Sequence, residues 1–530
     1  MRATRKQISK VLPDDVAALK KIIADQADII SSKDSVITLK EQRISILEEF
    51  VRLHKLKTFT ASTEKSLNQH EMFNEAELSV VAEEVLSEQD VDREAQSNTA
   101  PDKPKKKAGR KPLPDSLPRI RIEHAVPDAD NICDCGCQRI EIDEVTSEQL
   151  DIIPAKVQVI VNVRKKYACQ HCETGVVTAP LPPQPIPKSN ASPGLLAHVA
   201  IAKYQDGLPL HRQEAVLNRS GVEIPRNTLA SWMIKSGELI QPLINLLDDK
   251  LLVYPVMHCD ETTLQVLKEP DKHACQKSYM WVRVGGPPAQ PIRLFHYADC
   301  RRGEVASALL AGYEGYLQTD DYAGYNSACG ENRITQLGCW AHARRKFIDA
   351  QKASSSKTKK TGKADVAISL IGKLYAIEKQ IKAQSADEKY TVRQKQAQPI
   401  LADIRQWLDK TLHSTLPKGL LGKALSYLEK NWTKLTVYTQ DGRLSIDNNP
   451  AENAIRPFVI GRKNWLFSAS VKGAKSSANL YGLIETAKAN GLEPYIYLRH
   501  VFKALPKVES VDDVEALLPW NVDAQTIAII

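Results

Sequence analysis

Apolar and polar positions first fall into register near the N-terminus. Val16, Ile23, Ile30, Ile37, Ile44 and Val51 recur every seven residues, and Ile22, Ile29, Val36 and Phe50 widen the stripe. A seven-residue apolar repeat predicts a helix, and β-branched residues at its a positions favour a parallel two-stranded coiled coil. Pro13-Asp14-Asp15 supplies a start, with acidic groups at the positive end of the helix dipole. The d positions are mixed: Leu19 and Leu47 fit, whereas Gln26, Lys33 and Lys40 do not. Residues 1–57 are therefore expected to self-associate through this helix. The plainer alternative is an amphipathic helix packed on its own chain.

The periodicity then lapses. Residues 58–118 are rich in Ser, Glu, Pro and Lys and read as a linker. Within it a dense basic run, KPKKKAGRKP, follows an acidic stretch at 74–97. Arg110 and Lys111 in this run are candidates for DNA contact, against the bland reading of a solvated basic linker. Residues 119–180 alternate in short runs such as RIRIEHAV and VQVIVNVRKKYAC, which predicts strands of a small β-rich module. A Pro-rich spacer, PLPPQPIPK, precedes a helical stretch at 189–245. There a helix over 209–219, a turn at Gly221 and a second helix from Asn227 or Thr228 make a helix-turn-helix pattern. Leu229 and Trp232 would face inward. Arg226, Asn227, Ser231 and Lys235 would face outward, where a DNA-reading helix carries its contacts.

From residue 250 the pattern becomes α/β. LLVYPVMHCDETTLQVL predicts a strand carrying Asp260, SYMWVRVGG and PIRLFHYA two more, and RRGEVASALLAGY a helix. GYLQTDDYAGY predicts a strand ending at Asp320, and ITQLGCWAHARRKF a strand leading into a helix. Residues 351–440 are mostly helical and look like an insertion in this core. An Asp at the mouth of an apolar strand is costly unless exposed, paired or metal-bound. A third acid, Glu452, lies in SIDNNPAENAIRPFVIGRKNWLF. Asn449, Pro450 and Glu452 could simply complete a helix cap. Capping does not account for the nearby Asp447, Arg456, Arg462 and Lys463.

Composition changes the picture in three places. Ten cysteines in 530 residues do not make a disulfide framework, yet five of them are Cys133, Cys135, Cys137, Cys169 and Cys172. Two thiolate pairs can close a tetrahedral zinc site, so four of these five are expected to hold structural Zn2+. The net charge of +8, with local clusters at 344–347 and 461–463, agrees with a polyanionic partner. No apolar run reaches the roughly 20 residues of a membrane span, so no membrane partner is expected and the reading is a cytoplasmic, nucleoid-associated protein.

Taken in order, HCDETTLQV, QTDDYAGY, GCWAHARRKF, DNNPAENAIRP and GRKNWLF resemble the transposases of insertion-sequence family sixty-six, which are aspartate-aspartate-glutamate recombinases. The resemblance covers most of the chain, since that family also has a leader helix, a cysteine-rich module and a helix-turn-helix region. It implies a multidomain α+β protein: coiled-coil helix, zinc-ribbon-like module, helix-turn-helix, then a ribonuclease-H-like core over 250–500 with its helical insertion, and a C-terminal tail over 501–530. It implies Asp260, Asp320 and Glu452 as ligands of catalytic Mg2+ (or Mn2+). Asp320 is preferred to Asp321 because the family has T-D-G-Y where this chain has Thr319-Asp320-Asp321-Tyr322. The first cysteine cluster departs from the family's C-x-x-C. The implied activity is cleavage and transfer of DNA strands at transposon ends, with double-stranded DNA as partner. His342, Arg344, Arg345, Arg456, Arg462 and Lys463 are then candidates for phosphate contact. The resemblance also brings in small companion proteins encoded by the same element. The alternatives are a structure-specific nuclease on the same fold and a non-catalytic DNA-binding regulator.

Overall fold

The computed structural model describes residues 15–59, 157–167, 177–273, 275–331, 333–353 and 362–528. The linker with Arg110 and Lys111 and all five clustered cysteines lie outside the described residues. Within 85–181, a unit of its own, the described residues 157–167 and 177–181 carry one short antiparallel pair, β1 (Lys166–Tyr167) and β2 (Val177–Thr178), with Tyr167 opposite Val177.

The larger unit is built on a mixed sheet in the order β5-β4-β3-β6-β7. Its strands are β3 (Val256–Lys268), β4 (Lys277–Gly285), β5 (Ile292–Ala298), β6 (Gly315–Gln318) and β7 (Ile334–Leu337). The first three form an antiparallel meander; β6 and β7 add in parallel. A short β8 (Ser468–Ser470) joins the far end of β3. The first half of β3 is almost continuously buried, as befits a central strand covered on both faces. The strand begins later than its apolar run. Leu243, Leu247 and Leu251 are buried at helical spacing, so residues up to Val253 belong to a preceding helix.

Helices cover the sheet. Ahead of it come α2 (Pro193–Tyr204), α3 (Leu210–Arg219), α4 (Arg226–Leu239) and α5 (Gln241–Val253). The turn between α3 and α4 passes through Gly221 at φ +77°, a conformation that a side chain would strain. The Arg226 N–H donates to Glu214 Oε1 at 3.1 Å and ties the two helices together. Helices α6 (Gly303–Leu309) and α7 (Tyr325–Glu331) flank β6 in sequence. The expected C-terminal tail is not a tail. Val501, Phe502, Leu505, Val514, Leu518 and Ile527 are buried in the main core, and Tyr497 donates to the Leu517 carbonyl at 2.8 Å.

Between β7 and the last acid the chain builds a second hydrophobic core. It is made of α8 (Trp340–Ala353), α9 (Lys363–Ile381), α10 (Ala386–Val392), α11 (Gln398–Leu412), α12 (Leu420–Lys430) and α13 (Trp432–Thr436). Arg393, in a π-turn joining α10 to α11, is buried at its centre. It pairs with Glu378 at 2.7 Å and donates to the carbonyls of Tyr438, Asp441 and Leu444 at 2.8–2.9 Å. The long leader α1 (Val16–Phe59) meets this subdomain near its end: Leu53 is buried, and the Leu420 N–H donates to Glu49 Oε2 at 3.1 Å. Its a positions from Val16 to Val51 stay exposed among the described residues. No described helix is long and apolar enough to cross a membrane.

Removing one member of a buried charge pair strands the other. Arg393→Ala should therefore cost about 3–5 kcal/mol, read from the denaturant midpoint. A loss below about 1 kcal/mol would show that Glu378 and the three carbonyls find water instead.

Candidate active site

Asp260 is the fifth residue of β3, half-buried and opposite Val282 on β4. His258, Asp260 and Thr262 share one face of the strand; Cys259 and Glu261 point the other way. In the parallel pairing His258 lies opposite Gln318, the last residue of β6. Two residues beyond this pair on each chain stand Asp260 and Asp320, near enough that the Asp320 charge acts on Asp260. Asp320 is thus beyond the strand, not at its end as the apolar run had predicted. Its own side chain makes the turn: Oδ1 accepts the Tyr322 N–H at 3.0 Å. Asp321 is directed elsewhere, to Lys430 Nζ at 3.2 Å.

Glu452 is brought in by α14 (Asn449–Trp465). The helix cap does not have the form expected from the sequence. Asn448 occupies the cap position, and its side chain leaves the helix for the central strand. It donates to the Cys259 carbonyl at 2.9 Å and accepts from His258 Nδ1 at 3.2 Å. Burial lowers His258 to about 4, so the ring is neutral near pH 7. The first turn of α14 is thereby stapled beside Asp260. Glu452 is only 3% exposed, and among the described residues neither of its oxygens has a hydrogen bond. His342 lies beside it, Nδ1 3.7 Å from Oε1.

The electrostatics record this convergence. Burial, then the charges of Glu261, Asp320 and Glu452, push the Asp260 carboxyl well above the ordinary carboxylate range. Three acids separated by 60 to 192 positions in the sequence are therefore close enough for the charges of two to act on the third. Carboxylates gathered in this way attract a hard divalent cation.

A supporting layer escaped the sequence reading. Glu261 accepts from Arg301 Nε at 2.5 Å and from Tyr325 Oη at 2.7 Å. The same guanidinium reaches Asp320 Oδ2 at 3.6 Å and stacks 3.9 Å over Tyr322. The signal available was a second acid beside Asp260, which on a strand must face a different neighbourhood. The arginine forty positions later offered no local cue.

The basic candidates divide. On α4, Arg226, Asn227 and Lys235 are exposed and Ser231 half-buried. Asn227, Ser231 and Lys235 line an open cleft of about 520 Å³ with Lys188 and Asn190. Arg344, Arg345 and Arg456 are half-buried and Lys463 exposed. Two candidates turn inward. His342 is buried against Glu452, and Arg462 donates to the Thr262 hydroxyl at 3.0 Å and to the Thr263 carbonyl on β3. A surface role in gripping phosphate does not suit either position.

Comparison with known proteins bears on the whole chain. Residues 188–476 match the transposase IS66 family, 482–520 the IS66 C-terminal element, 130–173 the zinc-finger binding domain of transposase IS66, and 46–122 a domain described as transposase C of IS166 homeodomain. The uncharacterized protein y4qI of Sinorhizobium fredii is 32% identical, with 97% of this chain and 98% of its own length aligned. A second protein from that organism, y4jD, is 31% identical over 78% of this chain and 82% of its own length.

The repulsion at Asp260 has a measurable sign. Its raised carboxyl costs the metal-free protein stability as pH climbs from about 4 through the folded-state value. Asp260→Asn removes that loss. The metal-free variant should melt about 1–3 °C higher than wild type at pH 8, with the gap closing toward pH 4. Equal melting curves at both pH values would mean that the acids do not repel.

Proposed function

Because this chain belongs to the IS66 transposase family, we propose that it binds the ends of its own insertion sequence and catalyses metal-dependent cleavage and transfer of DNA strands. The catalytic acids are Asp260, Asp320 and Glu452, carried on a ribonuclease-H-like core. The observation that carries this reading is Glu452: a buried carboxylate with no hydrogen bond among the described residues, whose charge joins burial and the charges of Glu261 and Asp320 in pushing the Asp260 carboxyl upward. A buried anion in that state asks for a cation. Mg2+ (or Mn2+), with its preference for carboxylate oxygens, fits the donor set. When bound it would activate the attacking hydroxyl or water and stabilise the leaving oxygen.

The chain's own residues do the positioning. The β3–β6 register brings Asp260 near Asp320, and Arg301 holds Asp320 from behind while neutralised by Glu261. Asn448 fixes the start of α14, so Glu452 enters the cleft from a helix locked to the central strand. DNA is gripped elsewhere: by the exposed side of α4 with Arg226, Asn227, Ser231 and Lys235, by Arg110 and Lys111, and by Arg344, Arg345, Arg456 and Lys463 around the cleft. Four of the five clustered cysteines hold a structural Zn2+ in a domain whose family match is a zinc finger. The exposed stripe on α1 pairs with a second copy of the chain.

Asp260→Asn, Asp320→Asn and Glu452→Gln keep shape while removing charge. Each should leave binding to transposon-end DNA within about threefold and lower strand cleavage by about 1,000-fold or more. Asp321→Asn, which loses only an exposed pairing with Lys430, should cleave nearly as wild type. Cleavage that survives Glu452→Gln would remove that residue from the mechanism.

Self-association has its own test. Sedimentation of the full chain should give a mass that falls when Ile30 and Ile37 are both replaced by Lys, since charge in an apolar seam is not tolerated. A wild-type monomer at tens of micromolar would refute the pairing.

A further inference from the structure

Beside Glu452 lies a donor set that phosphodiester chemistry with magnesium does not use. Cys339 directly precedes α8 and His342 follows three residues later, so one helical turn puts both on the same side. A ligand atom from Cys339, one from His342 and one from Glu452 all lie within 4.8 Å of one another, and all three residues are buried. Glu452 Oε1 points at His342 Nδ1 from 3.7 Å, and neither Glu452 oxygen has a hydrogen bond among the described residues. The Asn448 N–H donates to Cys339 Sγ at 3.3 Å, which fixes where the sulfur points.

Each residue has an ordinary reading alone: a buried cysteine is a small apolar filler, and a buried histidine a polar partner. Their convergence on an unbonded carboxylate is not ordinary. Sulfur and imidazole nitrogen are poor ligands for magnesium and good ones for zinc, whose catalytic and regulatory sites use three protein ligands with a fourth position open. With zinc–ligand bonds of about 2.0–2.3 Å, the edges of such a tetrahedron are about 3.3–3.8 Å. Side-chain shifts of about 1 Å would close the observed set to that size.

We propose that Cys339, His342 and Glu452 form a zinc site that shares the third catalytic acid, and that zinc there withdraws Glu452 from the magnesium cleft and switches off strand cleavage. Binding releases the Cys339 thiol proton to solvent and forms a metal–sulfur bond; no oxidation is involved. The site itself stands without the transposase assignment; the switching rests on it.

The test uses the full chain. After equilibrium dialysis against micromolar zinc without DNA, wild type should carry about one zinc more per chain than Cys339→Ser or His342→Gln. The cysteine-rich domain is common to all three proteins, so the difference isolates this site. Serine keeps an acceptor for the Asn448 N–H, and the circular dichroism of each variant checks folding. In magnesium-supported cleavage, normalised to each protein's own zinc-free rate, Cys339→Ser should need at least about tenfold more zinc for half inhibition. Equal zinc content in wild type and both folded variants would overturn the site. An extra zinc that leaves wild-type cleavage unchanged would overturn the switch. Absence of any magnesium-supported cleavage would count against the transposase acids, while the zinc count would still decide the site.

Discussion

Three carboxylates held together in a half-buried cleft repel one another, and much of the surrounding structure is needed to keep them there. Asp260 is fixed in place by β3, which pairs with β4 at Asp260 itself and with β6 up to His258. Asp320 is caught in a turn made by its own side chain and backed by Arg301. Glu452 sits in the first turn of α14, where the positive end of the helix dipole offsets part of its charge. The Asp260 carboxyl stays raised although the Glu261 N–H donates to it at 2.8 Å, because burial and the neighbouring acids outweigh that one bond.

The second core belongs to the same constraint. It fills the sequence between the second and third acids and reaches the cleft through short polar ties. The Trp340 indole donates to the Leu435 carbonyl at 2.8 Å, and the Trp340 N–H to the Ile446 carbonyl at 3.2 Å. Tyr375 on α9 donates to Asp447 Oδ2 at 3.0 Å, one residue before the cap of α14. The loop that delivers Glu452 is thus held from both cores at once. A helical insertion placed there steadies the third acid as well as enlarging the surface around the cleft.

Much of this was legible along the chain. The heptads of α1, the buried spacing of Leu229 and Trp232 on α4, and the apolar runs of β4 and β5 are local patterns, and local periodicity is what a sequence displays directly. Boundaries failed where a local pattern admitted two readings. Leu251 and Val253 look like the start of a strand because they are apolar, yet they close a helix whose earlier turns set the period. The chain beyond residue 500 was expected to be a tail, yet Phe502, Leu518 and Ile527 find partners in the main core.

By itself the sequence determined the candidate side chains for chemistry, the period of its longer elements, and the family to which the chain belongs. Only the tertiary structure decided which of those side chains meet. Glu452 could have capped its own helix; packing gave the cap position to Asn448 and spent that side chain on β3. Arg462 and His342 carry the same charge signals as their neighbours, yet one is drawn onto Thr262 and Thr263 and the other onto Glu452. Arg301 joined the site from a loop with no motif around it. The reason is physical. Periodicity is set by backbone geometry within a few residues, whereas pairing between distant charges depends on a sheet register and a helix position that many weak contacts fix together.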